Sequence, residues 1–76
     1  MEADMRLIAS RIQTAWEAGK VCSLVGRGCR ARVVRLGRLA AAGRIEPTLA
    51  LQLARDAEAV AFCFLPLPAE GSDDRG

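Results

Sequence analysis

Two stretches of the chain repeat apolar residues at the spacing of an amphipathic helix. In the first, Met5, Ile8, Ile12, Ala15 and Trp16 fall on one side of a helix with 3.6 residues per turn. A glycine follows at position 19, and glycine suits the end of a helix because it readily adopts a positive φ. The pattern predicts a helix over residues 3–18.

The second periodic stretch covers residues 47–64. Pro47 suits the first turn of a helix, and Pro66 and Pro68 cannot continue one. The apolar stripe is formed by Leu49, Leu53, Ala57, Val60 and Phe64, with Ala50, Ala54 and Ala61 beside it. This pattern predicts a helix that begins at Pro47 and ends before the prolines.

The middle of the chain is compatible with two structures. Apolar residues alternate with arginines from Cys29 to Val33, as in a strand, and residues 20–36 would then form a β-hairpin that turns at Gly26-Arg27-Gly28. As a helix over 29–42, the same region gathers its apolar residues within an arc of roughly 60° that no arginine enters. Those apolar residues are Cys29, Val33, Leu36 and Ala40.

The helical pattern explains more residues, so we predict an all-α domain of three helices over residues 1–65. Residues 20–28 become a connecting loop or a short extended segment, and the hairpin with two helices, an α+β fold, is the alternative. Residues 66–76 are rich in proline, glycine and acids, which predicts a disordered acidic tail. A 76-residue chain buries a small core, so we expect a homo-oligomer or a place in a larger protein complex.

Charge is strongly segregated along the sequence. The 28 residues between Glu17 and Glu46 contain seven cations and no acid, whereas residues 46–76 contain six acids and two arginines. On the predicted helix over 29–42 the arginines spread across the side opposite the apolar arc, and Arg27 joins them from the loop. The seven cations are Lys20, Arg27, Arg30, Arg32, Arg35, Arg38 and Arg44.

Arginines on one exposed face can neutralise several phosphates. We therefore expect a small regulatory protein that docks these seven residues on nucleic acid, a nucleoprotein complex or an acidic protein surface. The same charges would also suit an ordinary solvated helix face, or a face that pairs with the chain's own acids. The alternative function is a protein-binding adaptor or inhibitor, of phage or mobile-element type, that uses an apolar helix face. The residues expected at that interface are Ile8, Trp16, Leu49, Leu53, Val60 and Phe64.

Several classes of function lack the residues they need. The chain has no histidine and no tyrosine, so the usual general base is missing and we expect no enzyme activity. Three cysteines without a CxxC pair do not form a zinc pattern, and we expect no metal or cofactor. With no long apolar run and no signal-like start, we expect a cytoplasmic protein of bacterial or phage origin that does not enter a membrane.

Overall fold

The computed structural model describes residues 2–66, which form three α-helices joined by short turns. Helix α1 spans Glu2–Glu17, α2 spans Ser23–Ala41 and α3 spans Pro47–Phe62. The prediction of an all-α domain with three helices is confirmed. The predicted disordered tail, residues 66–76, lies outside the described residues apart from Pro66.

Helix α2 begins at Ser23, six residues before the predicted start at Cys29. The expectation of a loop is therefore wrong for residues 23–28, and the alternative hairpin over 20–36 is wrong because one continuous helix occupies that stretch from Ser23 onward. The reason lies at Gly26, which is buried against α1: an added Cβ would lie only 2.8 Å from Cε3 of Trp16. Close packing of the two helices thus outweighs the low helix propensity of glycine.

The turns after α1 and α2 have the same construction. Gly19 and Gly43 have φ values of 76° and 72°, in the left-handed region that favours glycine. The residue after each glycine donates its N–H to a carbonyl five residues earlier: Lys20 to Ala15 at 2.9 Å, and Arg44 to Leu39 at 2.8 Å. Both are Schellman motifs, which satisfy the last carbonyls of the helix and end it.

The two later helices begin differently. Glu46 caps α3: its side-chain Oε1 accepts a hydrogen bond of 3.1 Å from the backbone N–H of Leu49, and Pro47 follows in the first turn. Cys22 precedes α2 and its side chain makes no capping bond. Its backbone N–H instead donates to the carbonyl of Phe64 at 2.9 Å, which ties the start of α2 to the end of α3.

One core lies between the three helices. Helix α1 contributes the stripe predicted for it, with Met5, Ile8 and Ile12 buried, and α2 contributes Val33 and Leu36. The residues of α3 that are fully buried are alanines, whereas its larger Leu51 and Leu53 are half-buried against the core. The buried residues of α3 are Ala50, Ala54, Ala57 and Ala61. Small side chains let α3 approach its neighbours closely, and they leave the bulkier apolar residues of α3 toward the surface.

No helix among residues 2–66 has the length and apolar character needed to cross a lipid bilayer.

Candidate nucleic-acid interface

All seven cations predicted to bind anions are exposed. Lys20 lies in the α1–α2 connection and Arg44 in the α2–α3 turn, at opposite ends of α2. Arg27 belongs to α2 and not to a preceding loop, because the helix already begins at Ser23. The name α2 arginines is used below for the five arginines of this helix: Arg27, Arg30, Arg32, Arg35 and Arg38.

Within residues 2–66 none of the seven cations forms an ion pair with an acid. The ion pair that the structure shows between α1 and α3 uses a different arginine: Arg11 donates from Nε to Glu58 at 2.6 Å and from Nη2 at 2.9 Å. This hydrogen bonding raises the pKa of Arg11, against a smaller opposing effect of burial. Glu58, one of the chain's own acids, is thus bound to an arginine that is not one of the seven cations.

The α2 arginines cover the solvent-facing side of the helix in two groups. At 100° per residue, three of them lie about 60–140° from the buried Val33 in one direction around the helix. The other two lie about 100–160° from Val33 in the opposite direction. The first group is Arg27, Arg30 and Arg38, and the second is Arg32 and Arg35. The face is therefore broad, about 200° of arc, rather than a narrow row.

Small residues lie among the arginines near the middle of this face. Gly28 and Ala31 are at about 140° and 160° from Val33, one in each direction around the helix, and both are exposed. A Cβ added at Gly28 would meet no atom within 4 Å. The centre of the face therefore carries only small side chains, and guanidinium groups lie on both sides of it.

The dimensions of the face match the spacing of phosphates in a nucleic-acid backbone. Arg27 and Arg38 are eleven positions apart, or roughly 16 Å along a helix axis at 1.5 Å per residue. Phosphates follow each other at about 3.4 Å of axis along one strand of duplex DNA, so the α2 arginines extend over about five phosphate steps. Lys20 and Arg44 lie beyond the two ends of the helix.

The three cysteines differ in burial. Cys22 is buried, Cys29 is half-buried and Cys63 is exposed, and all three are free thiols. Burial raises the pKa of Cys29, although the charge of Arg32 opposes that change, so its thiolate is disfavoured. Within the described part of the chain no three Cys, Asp or Glu side chains are grouped to hold a metal ion.

The residues predicted for a protein interface separate into two sets. Ile8 is 2% exposed and belongs to the core, and Trp16 is half-buried, packed against the core and on Gly26. Leu49, Val60 and Phe64 remain 46%, 50% and 42% exposed. Leu53 is half-buried against the core.

The two most exposed leucines among residues 2–66 were not among the predicted interface residues. Leu24 and Leu65 are 78% and 73% exposed, and the hydrogen bond between Cys22 and Phe64 brings their neighbourhoods together at one end of the molecule. Leu24 was not predicted as an interface residue because its segment was predicted to be a loop and was not assigned to a helix face. Leu65 follows the predicted helix over 47–64 and precedes a proline.

Comparison of the chain with protein-family models, curated proteins and solved structures gave no significant match. The functional proposals therefore rest on the residues of this chain alone.

Proposed function

We propose that this protein is a small, non-enzymatic regulatory protein that places the outer face of α2 on nucleic acid. The observation that carries the proposal is the exposure of all seven cations without an acidic partner among residues 2–66. An exposed helix face without a ligand usually mixes acids with bases, because oppositely charged residues four apart stabilise a helix. Helix α2 has no acid at all.

The breadth of the face suits the groove of duplex DNA better than it suits a flat anionic surface. The major groove of B-DNA is about 12 Å wide and admits an α-helix between two phosphate backbones. A helix with arginines on both sides can reach both backbones, and the small centre at Gly28 and Ala31 can approach the floor of the groove. The major groove of duplex RNA is too narrow for the same arrangement.

Binding of this kind is expected to tolerate most sequences. Asn and Gln, which read adenine edges, do not occur in α2, and the base edge that its arginines can read is that of guanine. Phosphate contacts supply affinity and little sequence information. The role is therefore that of a protein that coats, bridges or masks nucleic acid, and not that of a selective reader of one site.

The test is a fluorescence-anisotropy titration of a labelled DNA duplex at about 50 and 200 mM salt. If the five α2 arginines each neutralise one phosphate, log K falls with log[salt] with a slope of about −4.5. Arg35→Gln is expected to make the slope shallower by about 0.9. Arg55→Gln is the matched control, because Arg55 is an exposed arginine of α3 whose loss changes the net charge equally.

Equal effects of Arg35→Gln and Arg55→Gln would show that only total charge matters, and no binding at the lower salt concentration would eliminate the proposal. Tighter binding of duplex RNA than of DNA would contradict the groove geometry.

A protein-binding adaptor or inhibitor is the second candidate, supported by the exposure of Leu49, Val60 and Phe64. Such an interface depends on apolar burial and responds little to salt. Val60→Ser would weaken it and leave DNA binding unchanged. The same anisotropy titration, repeated on this variant, shows whether the apolar surface contributes to DNA binding.

A further inference from the structure

A groove of about 590 Å³ runs between α1 and α2. Its floor contains Met5, Ala9 and Val33, which belong to the core, together with Gly37 of α2. It extends from Met5 to Gln13 on α1 and from Arg30 to Ala41 on α2, or roughly 12–16 Å at 1.5 Å per residue. Two to three turns of another helix would fit along it.

The lining of the groove has the repeat of a helix-packing surface. It includes three rows in which the residues are four positions apart, and such rows are the ridges and grooves with which helices pack on each other. The rows are Met5–Ala9–Gln13, Arg30–Val34–Arg38 and Val33–Gly37–Ala41. Alanines and a glycine in two of the rows leave room for the backbone of an incoming helix to approach closely.

The charged residues around the groove all have the same sign. Arg6, Arg30 and Arg38 line it, and no Asp or Glu does so among residues 2–66. Ser10 and Gln13 are the remaining polar residues of the lining. A ligand that is apolar in the middle and acidic along its edges would therefore match both the floor and the rim.

We propose that this groove binds an amphipathic helix of a partner protein, with an apolar stripe flanked by Asp and Glu. The stripe would lie over Val34 and Gly37, which are half-buried and line the groove, and the acids would face Arg30 and Arg38. This is the helix-in-groove mode of recognition. The proposal does not rest on nucleic-acid binding, although an acidic helix in this position would compete with DNA for Arg30 and Arg38.

The probe is a synthetic helical peptide of about 16 residues, a length at which an isolated helix becomes reasonably stable. Its leucines stand at positions i, i+3, i+4 and i+7 with glutamates on both sides. One control peptide has the same composition in an order that scatters the leucines, and a second replaces glutamate by lysine. Binding of the labelled peptides to the full chain is measured by fluorescence anisotropy, and both controls are expected to bind at least about tenfold more weakly.

Two glycines of α2 provide matched variants. Gly37→Leu fills the groove, since a Cβ at Gly37 already comes within 3.8 Å of Met5, and it should weaken binding of the acidic peptide at least about tenfold. Gly28→Leu makes the same change outside the groove, at a position where an added Cβ meets no atom within 4 Å. This variant should bind the peptide with the affinity of the unaltered protein. Circular dichroism confirms that both variants remain folded, and Gly37→Leu, which keeps every cation, should retain DNA binding.

Charge reversal provides a second, independent readout. Arg38→Glu is expected to weaken binding of the glutamate peptide and to strengthen binding of the lysine peptide, a gain that unfolding cannot produce. Failure of the acidic peptide to bind, equal binding of the scrambled peptide, or equal effects of the two glycine variants would overturn the proposal. A dimer that Gly37→Leu dissociates would also overturn it, because the groove would then belong to a second copy of this chain.

Discussion

At the scale of single residues, the glycines of α2 have three different roles. Gly26 is required by packing, because the ring of Trp16 occupies the space of a side chain. Gly28 faces open space, and Gly37 lies at ordinary contact distance from Met5. Three glycines in one helix look equivalent in the sequence, yet only at Gly26 do neighbouring atoms leave no room for a side chain.

Alanine substitution separates the first two of these glycines. Gly28→Ala is expected to raise the free energy of unfolding by about 0.5–1 kcal/mol, because alanine loses less backbone entropy in a helix. Gly26→Ala gains the same helix propensity, but its Cβ would lie 2.8 Å from Cε3 and 3.3 Å from Cβ of Trp16. We expect a net loss of about 1–3 kcal/mol from overpacking.

Urea denaturation followed by circular dichroism measures both changes, with the unaltered chain as reference. A Gly26→Ala variant as stable as Gly28→Ala would mean that α1 and α2 are not in contact at Trp16.

At the scale of the helices, the ends are determined by three kinds of interaction. The glycine turns end α1 and α2 through local hydrogen bonds, and Glu46 with Pro47 starts α3. The start of α2 has no side-chain cap and depends on the distant carbonyl of Phe64. The sequence indicated the end of α1 at Gly19 and the start of α3 at Pro47, because both signals are local, and it did not indicate the start of α2.

The cap of α3 can be tested by replacing Glu46. In Glu46→Ala the N–H of Leu49 loses the oxygen that it reaches at 3.1 Å, and we expect the free energy of unfolding to fall by about 0.5–1 kcal/mol. Glu46→Asp, with a carboxylate on a shorter side chain of a type preferred at this position, should retain most of the stability. Thermal and urea unfolding of the three proteins measure the difference, and an unchanged Glu46→Ala protein would exclude a stabilising cap.

At the scale of the whole molecule, charge is distributed unevenly between the helices. The α2 arginines all belong to one helix, whereas Arg11 and Glu58 join α1 to α3. Exposed charges of one sign that lie within a Debye length of each other repel, and salt screens the repulsion. The face that would attract phosphate therefore acts against the stability of the isolated protein.

This repulsion predicts how salt affects folding. The urea midpoint should rise between about 0.01 and 0.15 M salt, where the Debye length falls from about 30 to 8 Å. Replacing Arg35 by glutamine should reduce the rise, because one of the repelling charges is removed. Replacing Arg55, on α3, is the control and should change it less.

A midpoint that falls as salt is added would mean that attractive pairs, such as Arg11 with Glu58, outweigh the repulsion on α2. Such a result would also weaken the case for a free cationic face.

The sequence by itself determined the first and third helices, the buried stripe of α1 and the closing role of Gly19, because each follows from local periodicity or from the backbone freedom of one residue. For the middle of the chain it favoured a helix over a hairpin without deciding between them. It also determined that the cations of α2 face away from the core, since Val33 and Leu36 occupy the opposite side of the helix. Only the tertiary structure decided where α2 begins, because this region contacts Trp16 of α1 and Phe64, which follows the end of α3. The tertiary structure also decided which residues of α3 are buried and where a groove lies between α1 and α2, because both depend on how closely two helices approach each other.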